Sequence, residues 1–296
     1  MDCSLIRYLH YLETEQIMYT EASSPSPAPT RRVVYKTAGR GRGGITRLVS
    51  PSDLGEYMKP FVFLDLFDLK ANGPKMGMHP HSGIATVSVI LDGAYQYHET
   101  TGNSGTVAAG GVEWMSAGSG VWHQGNPADG SHVRGFQLWL ALPEEDENGP
   151  AHSAFLTAAQ VPHTGPAGVV LGTYGGVTSP LKPRAAINYL VVKLRDGETW
   201  RYSPPAGHDV AFVAIATGKL HTAGVAIEQE VALFEENEAA IDFVAEGATE
   251  FVLGSAPRHP YDLVSGYYSV HTTRAALDIG ESEIERLGWH HGVDRS

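Results

Sequence analysis

Two histidines separated by one residue are the most chemically distinctive feature of the chain. His79 and His81 flank a proline, and side chains two apart on a β-strand point to the same face. A third histidine, His123, can complete a three-imidazole site if its strand returns beside the first. Neutral imidazole is a good ligand for iron, nickel, copper and zinc. The sequence therefore predicts a metal site at His79, His81 and His123.

The residues between these histidines have the composition of β-strands. β-branched and aromatic residues fill 86–91 and 94–97, and Asp92-Gly93 stands between them. An Asp-Gly pair between two such runs is typical of a tight hairpin. Glycine-rich turns at 101–105 and 110–111 then lead into a further strand. The pattern predicts one half of a small β-barrel with a metal in its mouth and a hairpin at Asp92-Gly93.

Three runs around the histidines resemble the pirin family of the cupin superfamily: His79 to Gly83, Leu91 to Gly93 and Glu113 to His123. The similarity extends from Val33 to the C-terminus. It implies an all-β bicupin, that is, two β-barrel (double-stranded β-helix) domains, with one metal in the N-terminal barrel. We expect a divalent transition metal, with Fe(II) first and Ni, Cu, Mn or Zn as alternatives.

The domain organisation follows from composition and from this resemblance. Residues 1–32 are predicted to be an extension, with an amphipathic helix at 4–18 and a proline-rich linker. The N-terminal domain is assigned to 33–150 and the C-terminal domain to 151–296. The second half is β-rich but has no His-x-His, so we expect no metal there. Thr273 is a predicted N-cap for a short C-terminal helix, and the resemblance implies that this segment packs on the N-terminal half.

The overall composition excludes some function classes. The net charge of −12 over 296 residues argues against a nucleic-acid-binding surface. The single cysteine, Cys3, excludes an internal disulfide and fits a reducing compartment. No apolar stretch is long enough for a bilayer, and the N-terminus lacks a signal-peptide pattern, so we expect a cytoplasmic protein. Gly39 to Gly44 matches a dinucleotide fingerprint but precedes a strand-like run, which favours a simple turn.

Two departures from the pirin pattern concern carboxylates. Pirins usually carry glutamate two residues after the last of these histidines, and many carry another four residues after the second; here these positions are Gly125 and Ala85. Three neutral ligands leave a divalent metal with its full charge, which makes bound water more acidic, but the obvious general base is missing. Gln124 and Asp65 are the remaining catalytic candidates, and a glutamate at 125 is expected to raise the rate.

Three functions remain open. The resemblance implies a dioxygenase of the quercetin 2,3-dioxygenase type, which would use O2 on a flavonol-like or diketone-like chelating substrate. Trp114, Met115 and Trp122 either line its pocket or belong to the barrel core, and His98 is a rival ligand. The second function is a metal-dependent regulatory protein that binds a protein partner, and the third is a scaffold that has lost its metal. No membrane contact is expected.

Overall fold

The computed structural model describes residues 30–73, 75–128, 130 and 132–292. These residues form two antiparallel β-barrels and a C-terminal helix, which confirms the predicted all-β bicupin fold. The elements are β1 Val33–Thr37, β2 Arg40–Arg42, β3 Ile45–Val49, α1 Leu54–Met58, β4 Phe61–Leu69, β5 His79–His81, β6 Ile84–Glu99, β7 Ser104–Ala108, β8 Val112–Ser116, β9 Val121–Pro127, β10 Val133–Ala141, β11 His152–Leu156, a 3₁₀ turn Ala158–Gln160, β12 His163–Thr164, β13 Ala167–Leu171, β14 Thr173–Tyr174, β15 Val177–Thr178, β16 Asn188–Leu194, β17 Thr199–Tyr202, β18 Val210–Thr222, β19 Val225–Ile227, β20 Val231–Phe234, β21 Ile241–Ala256, β22 Val264–Ser265, β23 Val270–His271 and α2 Arg274–His291. The predicted helix at 4–18 lies outside the described residues.

The N-terminal barrel is organised around β6, a strand of 16 residues. Its first half pairs with β8 and β10, and its second half pairs with β7 and β9. The hairpin predicted at Asp92-Gly93 is therefore wrong, because the strand continues through it. Gly93 has a φ of 76°, and a Cβ there would lie 1.7 Å from the carbonyl oxygen of His132. The glycine serves a bend that passes the strand from one sheet to the other.

The C-terminal barrel has the sheet order β1-β20-β18-β21-β16-β13-β12. Its first strand is Val33–Thr37, which pairs with β20, so the assignment of 33–150 to the N-terminal domain needs correction at its start. The assignment of 151–296 needs correction too, because β11 pairs with β8 of the N-terminal sheet. Strand pairing between distant segments decides these boundaries, and pairing partners cannot be identified from local composition.

One apolar core joins the two barrels. Alternate residues of β6, such as Val87 and Val89, face this core, as the two-residue period of a strand requires. Phe61 of the first barrel and Phe212 of the second meet edge to face, with ring centroids 5.0 Å apart, and both are fully buried. The opposite face of β6 lines the interior of the N-terminal barrel.

The C-terminal segment packs on the N-terminal barrel. Helix α2 begins after Thr273, whose side chain accepts a hydrogen bond from the backbone N–H of Ala276. The indole Nε1 of Trp122 donates to the carbonyl of Ile284 at 2.7 Å, which fixes the helix to β9. None of the described helices combines the length and the apolar content needed to cross a membrane.

The shared core predicts that the two barrels unfold together. Phe212→Ala should lower the free energy of unfolding by about 3–5 kcal/mol, because it leaves a cavity beside Phe61. Val244→Ala, at a position that is 42% exposed, is the control and should cost about 0.5 kcal/mol or less. Urea denaturation followed by tryptophan fluorescence measures both; equal effects would contradict the shared core.

Candidate metal centre

The three histidines are brought together by the pairing of β5 with β9. In this antiparallel ladder His79 lies opposite His123, and His81 lies opposite Val121. Opposite residues of a ladder point to the same face of the sheet, and His79 and His81 share a face because they are two residues apart. All three imidazoles therefore extend into the mouth of the N-terminal barrel.

The geometry of the cluster suits a transition metal. One ring nitrogen of each histidine lies within 4.8 Å of the other two, and the Nε2 atoms of His81 and His123 are 3.0 Å apart. If a metal were bonded to both atoms at about 2.1 Å, the angle between the two bonds would be about 90°. That angle is typical of facial coordination with further positions open. Two imidazole nitrogens at this separation also need a cation or a proton between them.

Backbone carbonyls orient two of the rings. The Nδ1 of His79 lies 3.0 Å from the carbonyl oxygen of Gly77, and the Nδ1 of His81 lies 3.0 Å from that of Tyr268. A carbonyl can only accept, so each Nδ1 carries the proton and each Nε2 keeps its lone pair for a metal. The Nδ1 of His123 is buried and has no hydrogen-bond partner within the described part of the chain.

Burial keeps the cluster neutral. It lowers the pKa of all three histidines, and the charge of neighbouring histidines adds to this at His81 and His123. For His81 the pKa falls to about 3. Neutral imidazole is the form that binds metals. The donor set, its spacing and its protonation therefore fit a divalent transition metal.

Aromatic side chains that the sequence did not indicate form the wall of the site. The ring centroids of Trp139 and His81 are 4.8 Å apart, and Phe63 stacks on Trp139 with ring centroids 4.0 Å apart. Tyr268 lies 5.6 Å from His79 and has a φ of 53°, a conformation unusual for a residue with a side chain. The alternation of β10 could have indicated Trp139, but no local signal indicates Tyr268, which comes from the C-terminal segment.

The predicted pocket residues divide between different surroundings. Met115 is fully buried beside Val121, on the face of the sheet that carries the histidines. Trp114 belongs to the core between the barrels, and Trp122 lies against α2. The structure thus brings only Met115 of these three to the interior of the N-terminal barrel.

Among the described residues, the remaining candidates are not part of the cluster of three imidazoles. Gln124 pairs with His98 on the outer face of the β6–β9 ladder, where both line a groove. Asp65 is buried and binds Arg47 through both carboxylate oxygens. Burial raises the pKa of Asp65, and the Arg47 guanidinium opposes that shift.

The two positions that lack the family carboxylates differ in surroundings. Ala85 is fully buried in the core between the barrels, on the face of β6 away from the histidines. Gly125 lies two residues after His123 and shares its face. A Cβ at Gly125 would lie 1.6 Å from the hydroxyl oxygen of Tyr95. The expectation that a glutamate at 125 raises the rate stays a prediction, and such a glutamate requires the Tyr95 side chain to move.

Two buried carboxylic acids lie inside the same barrel and were missed as site residues. Glu99 is opposite His123 in the β6–β9 ladder, and its Oε2 accepts hydrogen bonds from Ser153 and Thr101 at 2.6 and 2.9 Å. Burial raises the pKa of Glu113 to about 7, with the neighbouring Ser88 hydroxyl lowering it and the charge of Glu99 raising it. Alternation along β6 and β8 places both acids inside, once the barrel topology is known.

Comparisons with known proteins agree with the fold and with the family resemblance. The pirin family model matches residues 45–140. A Pseudomonas aeruginosa protein named "Putative quercetin 2,3-dioxygenase PA3240" is 30% identical over 236 residues, which are 73% of this chain and 81% of that protein. The crystal structure of a quercetin 2,3-dioxygenase from Acinetobacter baumannii superposes with a TM-score of 0.80 at 22% identity, covering 88% of this chain and 98% of that one. The nickel(II) complex of the pirin YhhW from Escherichia coli gives 0.61 at 21% identity, covering 74% and 95%.

The pKa of Glu113 predicts a pH-dependent stability. The folded-state pKa of about 7 exceeds the ordinary value of 4.5. The contribution of Glu113 to the free energy of unfolding is therefore fully present below about pH 4.5 and is lost as the pH rises through about 7. As the pH rises from 5 to 8, the free energy of unfolding of Glu113→Gln should therefore increase relative to that of native protein, by up to about 3 kcal/mol. Urea denaturation at several pH values measures this, and a difference that does not change with pH would contradict it.

Proposed function

Because this chain belongs to the pirin family, we propose that it is a metal-dependent dioxygenase. It holds one divalent transition metal through His79, His81 and His123 and acts on a small substrate that chelates the metal. The observation that carries the proposal is the convergence of three neutral imidazoles, whose ring nitrogens lie within 4.8 Å of one another beside the rings of Trp139 and Tyr268.

The metal is proposed to be Fe(II), with Ni, Cu, Mn or Zn as alternatives. Imidazole ligands suit Fe, Ni, Cu and Zn better than Mn, and the structural relative from E. coli was crystallised with nickel(II). When bound, the metal supplies Lewis acidity and positions at which substrate and O2 can meet.

The chain's own residues orient the substrate. Trp139 presents a flat ring beside His81, and its indole Nε1 is buried without a partner in the described chain. Tyr268 closes the other side and is 42% exposed, which places it at the entrance. Asp65 is fixed by Arg47, whose guanidinium also lies 3.9 Å from the centroid of the Phe63 ring. Such a wall excludes water and favours a flat, aromatic substrate.

The substrate class is proposed to be flavonol-like or diketone-like. Such molecules carry adjacent oxygens that chelate a metal and a planar body that suits Trp139 and Tyr268. The name of the P. aeruginosa relative includes quercetin. Gln124, on the outer face of β9, is proposed to affect the reaction only through the backbone of His123.

Replacing a ligand should abolish metal retention. We expect about one metal per chain in protein purified without added metal, and close to none in His81→Ala or His123→Ala after dialysis, because two imidazoles hold a divalent ion weakly. Elemental analysis measures the content, and circular dichroism checks that the barrel stays folded. His98→Ala, an exposed position, is the control and should keep its metal. Full retention in His81→Ala would place the site elsewhere.

Oxygen consumption tests the reaction itself. Metal-loaded protein given quercetin should consume O2 and flavonol in equal amounts, measured with an oxygen electrode and by absorbance. The rate should be low, because both family carboxylates are absent. Protein that retains metal but consumes no O2 with any flavonol or diketone would instead favour the regulatory binding function.

A further inference from the structure

The hydroxyl of Tyr95 occupies the place where a side chain at position 125 would begin. An ideal Cβ on Gly125 would lie 1.6 Å from the Tyr95 hydroxyl oxygen and 1.9 Å from the ring carbon that bears it. Both distances are far below any non-bonded contact. The glycine and the phenol are therefore a matched pair, in which the absence of one side chain makes room for the other.

This place faces the three histidines. Gly125 and His123 are two residues apart on β9, so their side-chain directions are the same. A glutamate side chain at 125 would reach toward the imidazoles across three bonds beyond its Cβ. The phenol oxygen stands where such a side chain would begin, on the face of β9 that carries His123.

The surroundings of Tyr95 keep its proton in place. The side chain is buried, and burial together with the nearby Glu113 carboxylate raises the pKa of the phenol well above its usual value, while a hydrogen bond with Ser88 opposes the shift. A neutral phenol can donate its O–H. A carboxylate at the same site could only accept.

We propose that Tyr95 replaces the missing family carboxylate as a hydrogen-bond donor, so that the site binds ligands that arrive as anions. This rests on the proposed metal site. A divalent metal held by three neutral imidazoles keeps its full charge and attracts an anion. The Tyr95 O–H adds a directional contact to that anion. A neutral phenol such as a flavonol would need a base to lose its proton, and this part of the site has a donor instead.

A titration with azide tests the donor role. Cobalt(II)-loaded protein is titrated with sodium azide and followed by its visible absorption, for native protein and for Tyr95→Phe. Removing the hydroxyl should weaken azide binding about 10- to 100-fold, as expected for a hydrogen bond to a charged group. Cobalt content and thermal midpoint are measured in the same samples. Tyr97→Phe is the matched control, because its ring stacks on Phe155 and is partly exposed, and it should leave azide binding unchanged.

The outcomes separate this inference from the metal site. Failure of native protein to bind cobalt would refute the proposed function. Cobalt binding with equal azide affinity in native protein and Tyr95→Phe would overturn the donor role alone. A loss of cobalt in Tyr95→Phe would also overturn it, since the phenol would then be a ligand.

An exchange of side chains tests the matched pair. Gly125→Glu alone should lower the thermal midpoint and the metal content, because the glutamate collides with Tyr95. Adding Tyr95→Ala should restore both and supply a carboxylate at the histidines. The double variant should bind azide more weakly than native protein does, since a negative charge replaces the donor. A Gly125→Glu variant with native stability and native metal content would show that Tyr95 does not fill this place.

Discussion

The register between β5 and β9 is the constraint on which the site depends. His79 must lie opposite His123 for the three imidazoles to meet, and a slip of one residue would turn His123 to the outer face. Apolar neighbours hold this register. Val121 faces the buried interior with Met115, while Trp122 faces α2, where its indole donates to Ile284. The same alternation that buries the histidines thus fixes the helix to the opposite side of the strand.

The C-terminal segment makes the site a product of the whole chain. The Tyr268 carbonyl holds the tautomer of His81, and the hydroxyl of Ser82, the next residue, donates a hydrogen bond to that of Ser269. His271 lies within hydrogen-bonding distance of the same Ser82 hydroxyl. A Ser-His pair beside the buried Glu147 has the composition of a hydrolytic triad, yet all three side chains are buried. The arrangement is a buried polar connection that seats Tyr268 over the histidines.

The sequence predicted what depends on local pattern and missed what depends on pairing between distant segments. The strand residues 86–91 and 94–97 and the N-cap at Thr273 are found as predicted, since strand composition and capping are local properties. The hairpin at Asp92-Gly93 was wrong because a glycine with positive φ serves a bend within a strand as well as a turn. Val33–Thr37 was placed in the wrong barrel because its partner lies almost two hundred residues away.

The surroundings of position 125 depend on the fold as well as on the motif. The sequence shows that the glutamate is absent at Gly125, but only the fold shows that Tyr95 fills the space. Absence of a base and presence of a donor have different chemical consequences. An empty place would admit water, which can accept or donate, whereas a buried phenol beside Glu113 holds its proton. The space beside position 125 is therefore filled by a hydrogen-bond donor, and a larger residue at 125 would collide with the Tyr95 side chain as it stands in the packed barrel.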